Sequence, residues 1–180
     1  KVIPPFFKIK SSAANTAALA KAGGDYTDFK EAYDSITGVS SSNRHTLEVY
    51  PGVYVIDNTA GPISLKDFTN ITARGVRSVI FEPADPTQDM FTGANFCYLE
   101  GIVFSGNTGS SYILNHSISG NLSIQDCVLR DCSNGFLVNN VNAVLEVKNL
   151  AINNPASTTT DYGVRVLSGK CAIVDIATRE

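Results

Sequence analysis

The chain has 180 residues, of which 43% are hydrophobic and 17% charged, with a formal net charge of -3 and a pI near 5.4. This length suits one domain with a sizeable core, and the acidic balance excludes the basic face that a nucleic-acid partner would require. No apolar run approaches the ~18 residues of a membrane span, so no membrane span is expected.

Residue 1 is Lys and no secretory signal follows it, which reads as a processed chain or a fragment. Residues 1–23 join an extended KVIPPFFKIK to the small-residue run SSAANTAALAKAGG. They form an amino-terminal arm whose Phe6, Phe7 and Ile9 could cover apolar surface on a neighbour. Residues 24–44 follow as a capping helix and a Ser-rich loop. Within GDYTDFKEAYDSI, Phe29, Ala32, Tyr33 and Ile36 recur at helical spacing, and Thr27 is the expected N-cap. Such a helix would plug an open sheet stack, which otherwise exposes a strand edge and its core.

From residue 45 to residue 180 one short sentence repeats. Centred on the anchors Val49, Ala73, Leu99, Ile124, Val147 and Ile173, the copies are spaced by 24, 26, 25, 23 and 26 residues. The residues two places earlier, Leu47, Ile71, Cys97, Leu122, Leu145 and Cys171, are apolar in every copy, as are the anchors. Fewer than half of all residues are apolar, so this coincidence of two columns is not a chance of alignment. Two residues after the anchor stand Gly75, Gly101, Asp126, Asn149 and Asp175, types that accept left-handed backbone at low cost. The first copy departs, with Pro51-Gly52 in that place.

Period-two strands and a tight bend repeating every ~25 residues predict one coil of a parallel β-solenoid, whose coils bury an apolar face only by stacking. The expected fold is therefore all-β, a right-handed parallel β-helix of about six coils with an amino-terminal capping α-helix. The last copy ends without a polar cap, so a further domain, subunit or stretch of chain is expected beyond Glu180.

Three of the four cysteines, Cys97, Cys127 and Cys171, fall on inward columns, and Cys132 lies close by. Cys97 and Cys171 stand three coils apart, beyond disulfide reach, and Cys127 and Cys132 lack metal spacing. Buried free thiols are expected, compatible with folding in a reducing compartment. Sequons at Asn70, Asn115 and Asn121 pull the other way, although Asn70 and Asn121 open repeat copies, where a turn role suffices. His45 and His116 read as loop residues, and no metal site or cofactor is expected.

The stretch GDYTDFKEAYDSI, followed by TLEVYPGVYVID, NITARG and SVIFEP, resembles the amino-terminal part of pectinesterases and their relatives in the pectin-lyase-like superfamily. The shared features are an aromatic-bearing helix and then a strand ending in Pro51-Gly52-Val53-Tyr54. The resemblance covers residues 24–83 and continues faintly through residues 96–109. It implies a right-handed parallel β-helix. It does not imply an activity, because the fold hosts enzymes and non-enzymes alike.

The pectinesterase motifs themselves are absent. Ser110-Ser111-Tyr112-Ile113-Leu114 stands where a QAVAL-like motif belongs, and Asp131-Cys132-Ser133-Asn134-Gly135 where a GYQDTL-like stretch belongs. No lyase or polygalacturonase signature, phosphate loop, nucleophile elbow or zinc motif is found. Glycoside hydrolysis needs two carboxyl groups within ~9.5 Å of each other, and the candidates are Asp126 and Asp131, which flank a single coil with Arg130 between them. Against them stands the plain reading of Asp126 as a turn residue and of Asp131 and Arg130 as solvated neighbours. Outward columns put Tyr50, Arg74, Tyr98 and Glu100 on one solvent face, Arg74 beside Glu100, Gln125 beside Lys148, and the two tyrosines available to a sugar ring.

The first expectation is thus a non-catalytic module of an extracellular or virion-associated protein, a rigid stalk or glycan-contacting surface. The alternative is a polysaccharide-active lyase, hydrolase or esterase. A third reading is a homotrimeric spike whose coils associate side by side.

Overall fold

The computed structural model describes residues 15–75, 77–153 and 162–179. Phe6, Phe7 and Ile9 of the arm therefore lie outside the described residues.

Parallel strands wind through three sheet faces. The first face is built by β1 (Thr16–Leu19), β2 (His45–Val49), β5 (Thr69–Ala73), β8 (Cys97–Glu100) and β11 (Gly120–Gln125). The second contains β3 (Gly52–Ile56), β6 (Val79–Pro83), β9 (Ile102–Ser105) and β12 (Val128–Arg130), and the third β4 (Ile63–Ser64), β7 (Phe91–Thr92) and β10 (Leu114–His116). Two long strands, β13 (Asn134–Asn153) and β14 (Tyr162–Arg179), run through bends and serve more than one face. Five turns visit all three faces, and a sixth copy adds rungs to the first two. The expected all-β parallel β-helix is the fold observed.

Inside, like residues stack. Leu99 pairs with Ile124, Ile124 with Val147, and Val147 with Ile173. The first two copies require a correction: above Leu99 lies Ile71, and above Ile71 lies Leu47, so Val49 and Ala73 are not the anchors of this column. The true interval from Ile71 to Leu99 is 28 residues. A slip of two residues keeps every side chain on its face, so alternation alone does not fix this register. A second correction follows on the outside, where Glu48, Thr72, Glu100, Gln125, Lys148 and Val174 form one column and Thr46, Asn70, Tyr98, Ser123, Glu146 and Ala172 the next.

The turn column behaves as its chemistry demands. Gly75, Gly101, Asp126, Asn149 and Asp175 all have positive φ, and Asn149 Nδ2 donates to Asp126 Oδ1 at 2.8 Å, tying one bend to the next.

The capping element is shorter than predicted. Helix α1 (Phe29–Asp34) starts at Asp28, whose carboxylate accepts from the Glu31 N–H at 2.9 Å, so Asp28 and not Thr27 is the N-cap. Both residue types cap well, and the sequence offers them side by side. Phe29, Ala32 and Tyr33 are buried, and Phe29 packs edge-on against Phe81 and Phe91. The Lys66 ammonium, donating to the Tyr33 and Ile36 carbonyls at 2.6 and 2.8 Å, fastens the helix end. Part of the arm belongs to the solenoid: β1 pairs with β2 as an added rung.

None of Cys97, Cys127, Cys132 and Cys171 forms a disulfide; the first three are buried and the last is half-buried. Burial raises the Cys97 and Cys127 thiols to about 12, which keeps them protonated and unreactive.

His116 is another correction: it is a fully buried strand residue of β10, not a loop residue. Its Nε2 lies 3.0 Å from the Gly120 carbonyl, and its Nδ1 faces the space above Gly93, where a Cβ would come within 2.5 Å. Burial lowers its pKa below the ordinary 6.5. The unfolded chain therefore binds the proton more readily, and stability present above pH ~6.5 is lost as pH falls toward the folded-state value. Chemical denaturation at pH 7.5 and 5.5 should show the wild type losing more stability on acidification than His116→Gln. Parallel losses would mean that His116 does not titrate in this window.

Candidate functional site

Where the first face bends into the second, the tight turns leave a groove of about 1000 Å³ running along the stack. Its lining passes from Thr16 and Thr46 in the first rungs to Asp175 and Ala177 in the last. Small or absent side chains at Ala73, Gly75, Gly101, Ala151 and Ala177 keep it open, while Glu48, Arg74, Arg77, Glu100, Asp126 and Asn149 furnish its polar groups. The Gly101 position is tight, since a Cβ there would meet the Ala73 methyl at 3.1 Å, and its φ of 73° disfavours any other side chain.

The charges in the groove are partly committed to each other. The Arg74 guanidinium binds the Glu48 carboxylate across adjacent rungs, which raises its pKa further. Hydrogen bonds from Gln125, at 3.0 Å, and from Asn149 hold the Asp126 carboxyl below its ordinary range. Asp126 is thus ionised at neutral pH and suited to accepting hydrogen bonds rather than to donating a proton. Glu48, Glu100, Asp126 and Asp175 outnumber Arg74 and Arg77, so the groove carries negative charge.

The structure brings together only some of the predicted site residues. Arg74, Glu100 and Asp126 line the same groove. Arg74 lies against Glu48 rather than Glu100, because Glu100 stands beside Thr72 in the corrected register. Gln125 does stand beside Lys148, and Lys148 approaches Glu146 at 3.6 Å.

Tyr98 opens onto a separate depression of about 390 Å³ on the same face, shared with Arg44, Asn70, Phe96, Asn121, Ser123 and Glu146. Partial desolvation and then the nearby Glu100 carboxylate push its hydroxyl up to about 12, so it remains a donor at neutral pH. Tyr50 is not its neighbour. Tyr98 shares a column with Thr46, four residues before Tyr50 in the chain, and lies two rungs away. Those offsets amount to about 13 Å along the strand and about 10 Å across it, too far for one sugar ring to touch both.

Asp126 and Asp131 flank β12 on opposite sides, each with positive φ, and Arg130 is the strand's last residue. Five residues of extended chain separate their Cα atoms by about 16 Å. The two mark successive bends of one coil and do not face one substrate bond. Among the described residues, no group of three or more His, Cys, Asp or Glu side chains could hold a metal ion. No described helix is long and apolar enough to cross a membrane.

The sequence reading missed Arg77 as a groove residue and Phe96 as a surface one. Arg77 has positive φ and lies in the longer turn between β5 and β6, where the repeat is irregular and gives no column to follow. Phe96 precedes two inward positions and reads as core by hydrophobicity alone.

No protein-family profile matches the chain, and no curated protein matches it. Among solved structures, the pectin methylesterase of Aspergillus niger aligns over 96% of this chain and 87% of its own, with a TM-score of 0.50 and 9% sequence identity. A candidate glycosyl hydrolase of Parabacteroides merdae aligns over 89% of this chain and 98% of its own, with a TM-score of 0.34 and 11% identity. The first likeness shows the shared fold alone; the second is too loose to carry an argument. The parallel β-helix implied by the pectinesterase-like residues 24–83 is thus the fold of a pectin methylesterase as well.

Proposed function

We propose that this chain is a non-catalytic β-helical module that holds an uncharged glycan along the groove between its first two faces. It would serve a larger extracellular or virion-associated protein. The observation that carries the reading is the groove itself, continuous across the rungs and lined by carboxylate, guanidinium and amide groups of the kind that read sugar hydroxyls. Its excess of carboxylates favours a neutral chain over a polyuronate, since like charges repel at close range.

The fold neighbour is an esterase, and a hydrolytic or esterase reading is the alternative. Against it stand the separation of Asp126 from Asp131 and the commitment of Asp126 to Gln125 and Asn149. The side-by-side trimer has one feature in its favour. Val53, Ile80, Val103, Val128, Ala151 and Ala177 form one apolar column on the second face, exposed at Val53 but buried at Val103 and Val128, and sedimentation of the protein at micromolar concentration tests it.

Titration calorimetry with neutral and polyuronate oligosaccharides tests the glycan reading. Binding of a neutral chain without product formation is expected, and Glu100→Ala should weaken it about 10-fold, the effect of deleting one charged hydrogen-bond partner. Turnover that disappears in Asp126→Asn would sink the non-catalytic reading.

A further inference from the structure

Phe68 and Phe96 are successive members of one column at the bend that enters the first face, two residues before the paired Asn70 and Tyr98. Both have left-handed backbone, with φ of 57° and 53°. Bulky side chains rarely adopt this conformation, which glycine and asparagine take easily. It persists here although Phe96 remains 44% exposed, so burial is not its whole reward. The rings lie nearly parallel, 5.4 Å apart and 15° from coplanar, on the outside of the solenoid. Arg44 covers the Phe68 ring at 6.0 Å and donates to the Phe96 carbonyl at 3.3 Å, which fixes the pair from one side.

Phe96 borders the second depression. Its polar neighbours there are Asn70, Tyr98, Asn121 and Ser123, and the side-chain amides of Asn70 and Asn121 make no hydrogen bond to any described residue. Arg44 and Glu146 balance in charge, with Glu146 accepting from Ser123 Oγ at 3.2 Å. An apolar ring face beside two unengaged amides, with no net charge, matches a ligand with one apolar face and a rim of hydroxyls. It does not match an anionic polymer.

We propose that Phe96, braced by Phe68, is a stacking platform for a pyranose ring of an uncharged glycan, whose hydroxyls are read by Asn70, Asn121 and Tyr98. Strained backbone turns the aromatic face outward where a relaxed one would not. The inference rests on the reading that this face takes glycan, but its site is separate from the groove and is tested separately.

Asparagine at position 96 removes the ring and suits the left-handed backbone, so Phe96→Asn should fold with an unchanged or higher melting temperature. The probes are neutral gluco-, xylo-, manno- and chito-oligosaccharides, followed by saturation-transfer NMR and calorimetry. At least one should bind the wild type with transfer to aromatic protons. Binding should fall at least 10-fold in Phe96→Asn and be kept in Phe96→Tyr. Wild-type affinity in Phe96→Asn overturns the platform; if Glu100→Ala still weakens binding, the groove reading stands without it. Absence of binding by every neutral oligosaccharide overturns both. A change of solution mass in Phe96→Asn, in place of a change in binding, assigns the rings to contact between copies and overturns the platform.

Discussion

Phe104→Ala is expected to lower the unfolding free energy by about 4 kcal/mol, within the usual range of about 3 to 5 for a buried Phe-to-Ala change. For a domain of this size that is about 8 to 16 °C in melting temperature. Phe104 is fully buried midway along the stack. It meets Phe81 at 6.1 Å and Phe136 at 6.0 Å, both edge to face. Phe81 meets Phe29 of the capping helix in turn, so these rings link the helix to the fourth turn through one chain of contacts. Each coil of a solenoid gains stability only from its neighbours, so a void at this position loosens the coils on both sides of it. The neighbouring strands cannot close that void, because their spacing is fixed by the parallel ladder. Phe104→Leu, which keeps most of the volume, should lose much less. Thermal unfolding of both variants checks this, and a drop below about 3 °C for Phe104→Ala would show that the ring stack is not what holds the coils together.

The stacked core is only partly legible in the sequence, and its ring stack is not. The inner column through Leu99, Ile124 and Val147 could be read because apolar residues recur at even offsets and strands alternate with period two. The bends could be read because left-handed backbone selects Gly, Asp and Asn, and positive φ occurs at Gly75, Gly101, Asp126, Asn149 and Asp175 as expected. Register between the second and third coils was not legible, since a shift from Cys97 to Leu99 beneath Ile71 keeps both on the inner face. The outer face inherits that ambiguity, which is why the repeat sets Arg74 beside Glu100 and draws the column of Tyr98 closer to that of Tyr50 than the structure does. His116 and Phe96 mark another limit. A polar residue can sit inside and an aromatic one outside when a bend decides the direction, and no periodicity reports a bend of that kind.

Asn58→Leu is expected to cost about 3 to 5 kcal/mol although it keeps the fork at Cγ and the number of side-chain heavy atoms. Asn58 is fully buried where the second face turns toward the third. Its Oδ1 accepts from the Asp85 N–H at 2.8 Å, and its Nδ2 donates to the Asp85 carbonyl at 2.8 Å and to the Gln88 and Asp89 carbonyls at 3.3 Å. One amide thus satisfies the backbone of the next coil's turn, which has no strand partner there. Leucine would remove the partner of the part-buried Asp85 N–H and of the Gln88 and Asp89 carbonyls, at about 1 to 3 kcal/mol each. Asn58→Asp separates this from packing. It keeps an acceptor for the Asp85 N–H but faces the carbonyls with oxygen, so its carboxyl should ionise only well above the ~3.9 of an unfolded aspartate. A folded-state pKa raised in this way gives stability that is present at low pH and lost as pH rises above ~4. The deficit of Asn58→Asp relative to wild type should therefore grow between pH 4 and pH 7, whereas that of Asn58→Leu should stay constant. Denaturant titrations at the two pH values decide it: if Asn58→Leu comes within 1 kcal/mol of wild type, the turn draws its order from the surrounding rungs and not from this amide.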